Sequence, residues 1–182
     1  MTEKAIQFSD PMVRAILDGR KTQTRRVVKP QPHDVADLTS EQLNAAWQEG
    51  WVDEKCPYGD IGNYLWVREA WQALPYYDDI PPRDLPKGAD IIYNADRPHA
   101  PWDSRKRNAL YMPRWASRIT LKITDVRVER IQDISEDDAR AEGVNTKEEF
   151  QALWESIHGD DPVKNWAANP LVWVIEFERV NL

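Results

Sequence analysis

The segment "RITLKITDVRVERI", residues 118–131, constrains the fold more than any other part of the chain. Its apolar residues alternate as Ile119, Leu121 and Ile123, then change phase by one residue to Val126 and Val128. Strict alternation is the mark of a strand with one buried face. A single-residue change of phase within it calls for a bulge or sharp bend, the device that turns a strand at a barrel corner. Other strands are expected at Ile6 and Phe8, in "TQTRRVV", in "NYLWVREAW", briefly in "DIIYNA", and in the closing "LVWVIEFERV".

Helices fall between them. Ser9 or Asp10 is expected to cap a helix with Pro11 in its first turn, a stripe of Met12, Val13, Ile16 and Leu17, and Gly19 as its stop. A second helix is expected near residues 39–47, a third from Ser135 to Gly143, and a fourth over "KEEFQALWESIHG" with Phe150, Leu153, Trp154 and Ile157 inward. Residues 72–116 hold seven of the thirteen prolines, so no regular element runs far there; they read as an ordered insertion or lid. Bent strands with three or four helices imply a compact α+β barrel, in one domain spanning 1–182 with additions at about 31–60 and 72–116.

Charge separates the function classes. Residues 1–30 hold seven cations against three acids, a local +4 in a chain of net charge -7. Generalised attraction to nucleic acid is therefore disfavoured, while a local anion or phosphate site stays open. A single cysteine, Cys56, excludes an internal disulfide. The opening "MTEKAIQFSD" lacks the apolar core of a signal peptide, and "LVWVI" is far too short to cross a bilayer. The expected location is the cytoplasm, with no membrane partner. His33, His99 and His158 have no metal-ligand spacing, so neither metal nor cofactor is called for.

The basic excess centres on "GRKTQTRR", residues 19–26. In one reading these cations complement the C-terminal dipole of the preceding helix. In the other, Lys21 and Thr24 converge on a pocket, and a buried lysine beside Arg26 has a depressed pKa. It then serves as a base toward a hydroxyl or water, or as a cation toward an oxyanion.

Gly19, Lys21, Thr24 and Arg26 match the G-x-K-x-x-[ET]-x-R signature of ASCH domains, which belong to the PUA-like β-barrel superfamily. The order of elements around the motif, including "LWVREAW", "DVRVERI" and an S-x-x-D-A-x-x-E-G helix, resembles the larger members found in phages and prophages. The resemblance implies a PUA-like barrel with peripheral helices. It also implies a link to RNA, and in one bacterial branch hydrolysis of N(4)-acetylcytidine by a lysine, a threonine and a glutamate. On this chain those roles fall to Lys21, Thr24 and, by helix position, Glu142. Arg26 is then expected to orient the base or fix Glu142, with Glu69 the alternative acid, its other reading being an ion pair with Arg68 or Arg26.

Arg20, Trp66 and Trp71 complete the expected substrate contacts, with Trp102 and Trp115 as further stacking candidates. The implied partner is a modified pyrimidine nucleoside or nucleotide. The alternatives are a non-enzymatic reader of RNA or single-stranded DNA, a ribonuclease using the same cations, and a host-interaction protein.

Overall fold

A computed structural model describes residues 2–32, 35, 37–50, 55–96 and 104–181. His33, His99 and Trp102 lie outside the described residues. The strands are β1 (Glu3–Gln7), β2 (Gln23–Val27), β3 (Tyr64–Arg68), β4 (Trp71–Ala73), β5 (Ile91–Tyr93), β6 (Thr120–Arg130) and β7 (Leu171–Val180). The helices are α1 (Asp10–Leu17), α2 (Ser40–Gln48), α3 (Glu136–Ala141) and α4 (Lys147–His158). Five strands form one sheet in the order β1-β3-β6-β7-β2, with β1 parallel to β3 and the other pairs antiparallel. β4 and β5 make a separate two-stranded sheet.

The expected change of phase is a bulge. The β6–β7 register pairs Ile123 with Phe177 and then Asp125 with Glu176, so Thr124 is the extra residue. The insertion returns Val126 and Val128 to the core that already holds Ile119, Leu121 and Ile123. Without it, the two valines would face away from that core, because one residue of slip inverts a strand.

β7 lies between β6 and β2 and is apolar on both faces. Trp173, Ile175 and Phe177 pack into the larger core with Val13 and Ile16 of α1 and Leu43 of α2. Val172 and Val174 pack oppositely, against Ala139 of α3 and Phe150 and Trp154 of α4. A doubly covered strand reads as a continuous apolar run, which is why "LVWVI" does not alternate. Residues 72–116 contribute a third cluster, in which Leu85, Met112 and Ala116 surround Trp71 and Ala73.

Two expectations are corrected. The sheet does not close into a barrel by strand pairing, since no ladder joins β1 to β2 among the described residues. A side chain bridges those edges instead: Arg26 Nη2 on β2 donates to the Gln7 carbonyl on β1 at 2.7 Å, with its guanidinium 5.2 Å from the centre of the Phe8 ring. On α4, Ile157 does not turn inward. It is 65% exposed, and the buried stripe of the helix consists of Phe150 and Trp154.

The turns around α1 and α3 bring two chain segments into contact. Thr39 and Ser135 cap α2 and α3 through their side chains, whereas Ser9 begins α1 with no side-chain bond. Gly143, at φ +92°, follows α3 where a Cβ would lie 3.0 Å from Ala15 Cβ and 3.2 Å from Lys21 Cβ. Glycine meets both the left-handed backbone and the close approach. Gly143→Ala is therefore expected to lower unfolding stability by about 1–3 kcal/mol in urea titration. The same substitution at Gly50, where no atom lies within 4 Å, incurs only the backbone strain.

Candidate functional site

Lys21 lies in the turn between α1 and β2, where its N–H bonds the Ala15 carbonyl at 3.0 Å. Its side chain crosses to the end of α3. The ammonium donates to Glu142 Oε2 at 2.7 Å, to the Glu142 carbonyl at 2.8 Å and to the Gln23 carbonyl at 2.8 Å. All three N–H donors of an ammonium are thus used. Lys21 does complement a helix C-terminus, but that of α3, 121 residues away in sequence.

The pair is closed to solvent, with side chains 2% and 5% exposed. Burial pushes the Lys21 amine below the ordinary lysine range. Glu142 opposes that shift by charge and hydrogen bond, while Arg26 and Arg25 reinforce it.

Arg25, with no side-chain exposure, lies beneath Glu142. Its Nη1 reaches Gln23 Oε1 at 2.7 Å and Glu142 Oε1 at 3.3 Å, and its Nη2 reaches Glu129 at 2.9 Å and Asp138 at 3.1 Å. Arg127 then links Asp138, Glu129 and Glu176. The role expected of Arg26, fixing Glu142, belongs to Arg25. Glu142 lies on the side of β2 from which Arg25 projects, whereas Arg26 points toward β1. Asp138 also does more than face its helix dipole. Burial raises its pKa, but the Gln23 bond, Arg25, the Ser135 bond and Arg127 together hold its carboxyl below the usual range.

A cavity of about 200 Å³ opens at this pair, walled by Lys21, Thr24, Arg25, Arg26 and Glu142 on one side and by Phe8, Met12, Phe150, Leu153, Trp154 and His158 on others. Thr24 is 4% exposed, and among the described residues its hydroxyl has no protein hydrogen-bond partner. Two guanidinium N–H groups of this wall, Arg25 Nε and Arg26 Nε, are buried and unpartnered. The apolar remainder comes from Phe8 and from α4, whose Trp154 ring lies 4.5 Å from that of His158. Among the described residues, no group of three His, Cys, Asp or Glu is placed to hold a metal.

The structure brings Lys21, Thr24, Arg26 and Glu142 together, and leaves the other expected residues elsewhere. Arg20 is exposed, bonded to Asp18 and the Gly143 carbonyl. Glu69 is buried but held by both oxygens to Arg118, at 2.9 Å each, so neither Arg68 nor Arg26 is its partner. Trp66 packs under Arg68 and Arg114, while Trp71 is fully buried beneath Arg107. Trp115 packs on the cluster around Trp71. None of these residues lines the cavity. Arg25, Phe8 and the α4 aromatics were not expected there. For Arg25 the sequence held a signal, the run of basic and hydroxyl residues, but not the fact that its partners arrive from β6 and α3.

No protein-family model matches the chain, and no curated protein matches it. Solved structures similar to it include the following two. An ASCH domain from Lactobacillus crispatus is 14% identical, with 98% of this chain and 79% of that chain covered and a TM-score of 0.47. A protein from Enterococcus faecalis assigned to the DUF984 family is 13% identical, with 99% and 80% covered and a TM-score of 0.45. At these values neither bears on the chemistry of the site, which stands on its own side chains. No helix among the described residues is long and apolar enough to cross a membrane.

Removing one partner of a buried ion pair strands the other. Lys21→Met is expected to lower stability by about 3–5 kcal/mol in urea unfolding. Arg20→Ala, which breaks an exposed pair, is expected to cost under about 1 kcal/mol. Asp138 adds a pH dependence. Its pKa is depressed by folding, so its contribution is complete above the unfolded value of about 3.9 and is lost as pH falls below it. Asp138→Asn should therefore flatten the acid limb of a stability–pH curve; an unchanged limb would show that Asp138 carries none of it.

Proposed function

We propose that the chain is an ASCH-type domain of the PUA-like β-barrel class, working in the cytoplasm. Residues 1–182 form its one domain, with additions at about 31–60 and 72–116, and its barrel seam is bridged by Arg26. We read it as an amidohydrolase of N(4)-acylated cytosine in a nucleoside or nucleotide. The observation that carries this reading is the buried Lys21–Glu142 pair at the wall of a small pocket that also receives Thr24.

The chemistry is addition of water to the acyl carbon, cleavage of the C–N4 bond, and proton delivery to the leaving nitrogen. N(4)-acetylcytidine plus water gives cytidine plus acetate. Lys21 is held by two backbone carbonyls, so its third bond, to Glu142 Oε2, is the one that can relax. Transfer of that proton to Glu142 leaves a neutral amine, which the lowered Lys21 pKa favours. The amine then takes a proton of a water oriented by Thr24, which adds to the acyl carbon, or the proton of the Thr24 hydroxyl, which forms an acyl ester as the C–N4 bond breaks. On the second route a water deprotonated by the same amine cleaves the ester to acetate, and the proton relayed through Glu142 restores the Thr24 hydroxyl. Glu142 returns its proton to the leaving nitrogen, in the general acid role. Because the donors of Lys21 are all occupied, the developing oxyanion falls to the charge of the Arg26 guanidinium at the pocket wall.

Size supports a base-sized occupant. About 200 Å³ falls below the roughly 300–1,000 Å³ of pockets that enclose drug-sized ligands. The aromatic and aliphatic walls suit a flat heterocycle and a methyl group.

Incubation with N(4)-acetylcytidine should release acetate and cytidine, followed by chromatography. Lys21→Ala and Glu142→Gln are each expected to lower kcat/KM by about 10²–10⁴-fold, the usual size of a general acid–base contribution. Thr24→Ala should fall comparably if its hydroxyl attacks, and Thr24→Val separates that role from packing. No turnover by folded wild type would end the assignment, and the pocket would then belong to a nucleic-acid reader.

A further inference from the structure

On the other side of Arg26 lies a second hollow, of about 420 Å³, which shares Arg25, Arg26 and His158 with the small pocket and adds Lys29, Tyr58 and Lys164. No carboxylate lines it among the described residues. Arg26 and Lys29 have no acidic partner there either, whereas Arg25, Arg114, Arg118 and Arg127 are each tied to carboxylates. Lys164 is the exception in the hollow, bonded to Asp161. Two cations without a carboxylate partner, Arg26 and Lys29, thus stand together beside the small pocket.

The hollow is built rather than incidental. Arg26 is fixed by the Gln7 carbonyl and the Phe8 ring, and its Nε is buried without an acceptor. The loop bearing Lys164 is fastened to α4 by Trp154, whose indole N–H donates to the Lys164 carbonyl at 2.8 Å. That same Trp154 walls the small pocket, so the cation is held in register with whatever occupies it. His158 senses the combined field. Burial pushes its pKa down, Lys164 adds to that, Asp161 opposes it, and Arg26 and Lys29 lower it further.

We propose that this hollow is a phosphate subsite. A nucleotide whose base enters the small pocket places its phosphate among Arg26, Lys29, His158 and Lys164. The inference rests on the base-binding reading above and narrows it: the ligand is a phosphorylated nucleotide, free or within a single strand, in preference to the nucleoside. The shared chemistry is a phosphate ester one sugar away from a cytosine ring. Arg26, held by the Gln7 carbonyl and the Phe8 ring, binds such a group with charge-assisted hydrogen bonds and little ordering cost of its own.

Calorimetric titration with cytidine, with cytidine 5′-monophosphate and with a short single-stranded oligocytidine tests it, alongside inorganic phosphate followed by the ring resonances of His158. The monophosphate is expected to bind at least about tenfold more tightly than cytidine. That ratio should fall toward one in the Lys29→Gln/Lys164→Gln variant. Inorganic phosphate should shift the His158 resonances and raise its titration midpoint. A monophosphate no tighter than cytidine, a ratio unchanged in the variant, or His158 resonances unmoved by phosphate would each overturn the subsite.

The oligonucleotide arm distinguishes the source. Affinity above the monophosphate, falling with salt, assigns a strand, and affinity at or below it assigns a free nucleotide. The two readings fail separately. Nucleoside turnover with no gain from phosphate removes the subsite alone, while a phosphate response without any acetate release removes the hydrolase alone.

Discussion

The ion pair between Lys21 and Glu142 is the contact around which the rest of the molecule is arranged. Two opposite charges with almost no exposure have lost most of their hydration, and their mutual attraction offsets that loss only when the remaining donors and acceptors are satisfied. Here they are. The ammonium has two backbone carbonyls besides the carboxylate, and the carboxylate has Arg25 on its second oxygen. The contact ties the turn after α1 to the end of α3, and through Arg25 it continues to β2 and β6. Gly143, lacking a Cβ, lets those two turns approach closely enough for the contact to form.

The same contact accounts for the chemical character of the site. A lysine on the surface is fully charged at neutral pH and inert as a base. Burial and the neighbouring guanidinium groups push this one downward, while the carboxylate that stabilises its charge is also a nearby acceptor for its proton. Arg26 has a separate task. By bridging β1 and β2 it completes the wall of the small pocket, and it also lines the adjacent hollow, so the proposed ring and phosphate sites have a common wall.

Much of the fold was legible because it rests on local rules. The bulge at Thr124, the caps at Thr39 and Ser135, and the covered strand around Trp173 each leave a pattern in a few neighbouring residues. Lys21 and Thr24 were legible as a pair for the same reason, being three positions apart at the entry to a strand. Glu142 followed from the resemblance to ASCH domains, whose glutamate falls at the end of the helix capped by Ser135. The choice between Arg25 and Arg26 was not legible. Both are arginines on one short strand, and which of them meets Glu142 depends on where α3 docks. Glu69, Trp66 and Trp71 looked like site residues because acids and aromatics near strand ends often are. Their partners, Arg118, Arg68 and Arg107, hold them away from the small pocket instead.

By itself, the sequence determined the strands and helices, the position of the bend and the presence of a hydroxyl and an amine at one turn, since these depend on periodicity and on contacts within a few residues. The tertiary structure alone decided that the sheet's edges meet through a guanidinium rather than a ladder, and that aromatic residues of α4 roof the pocket. It also decided that Lys29 and Lys164 stand on the same side of Arg26. Those facts rest on contacts between segments that are not neighbours in sequence, whose distances are set by how the whole core packs.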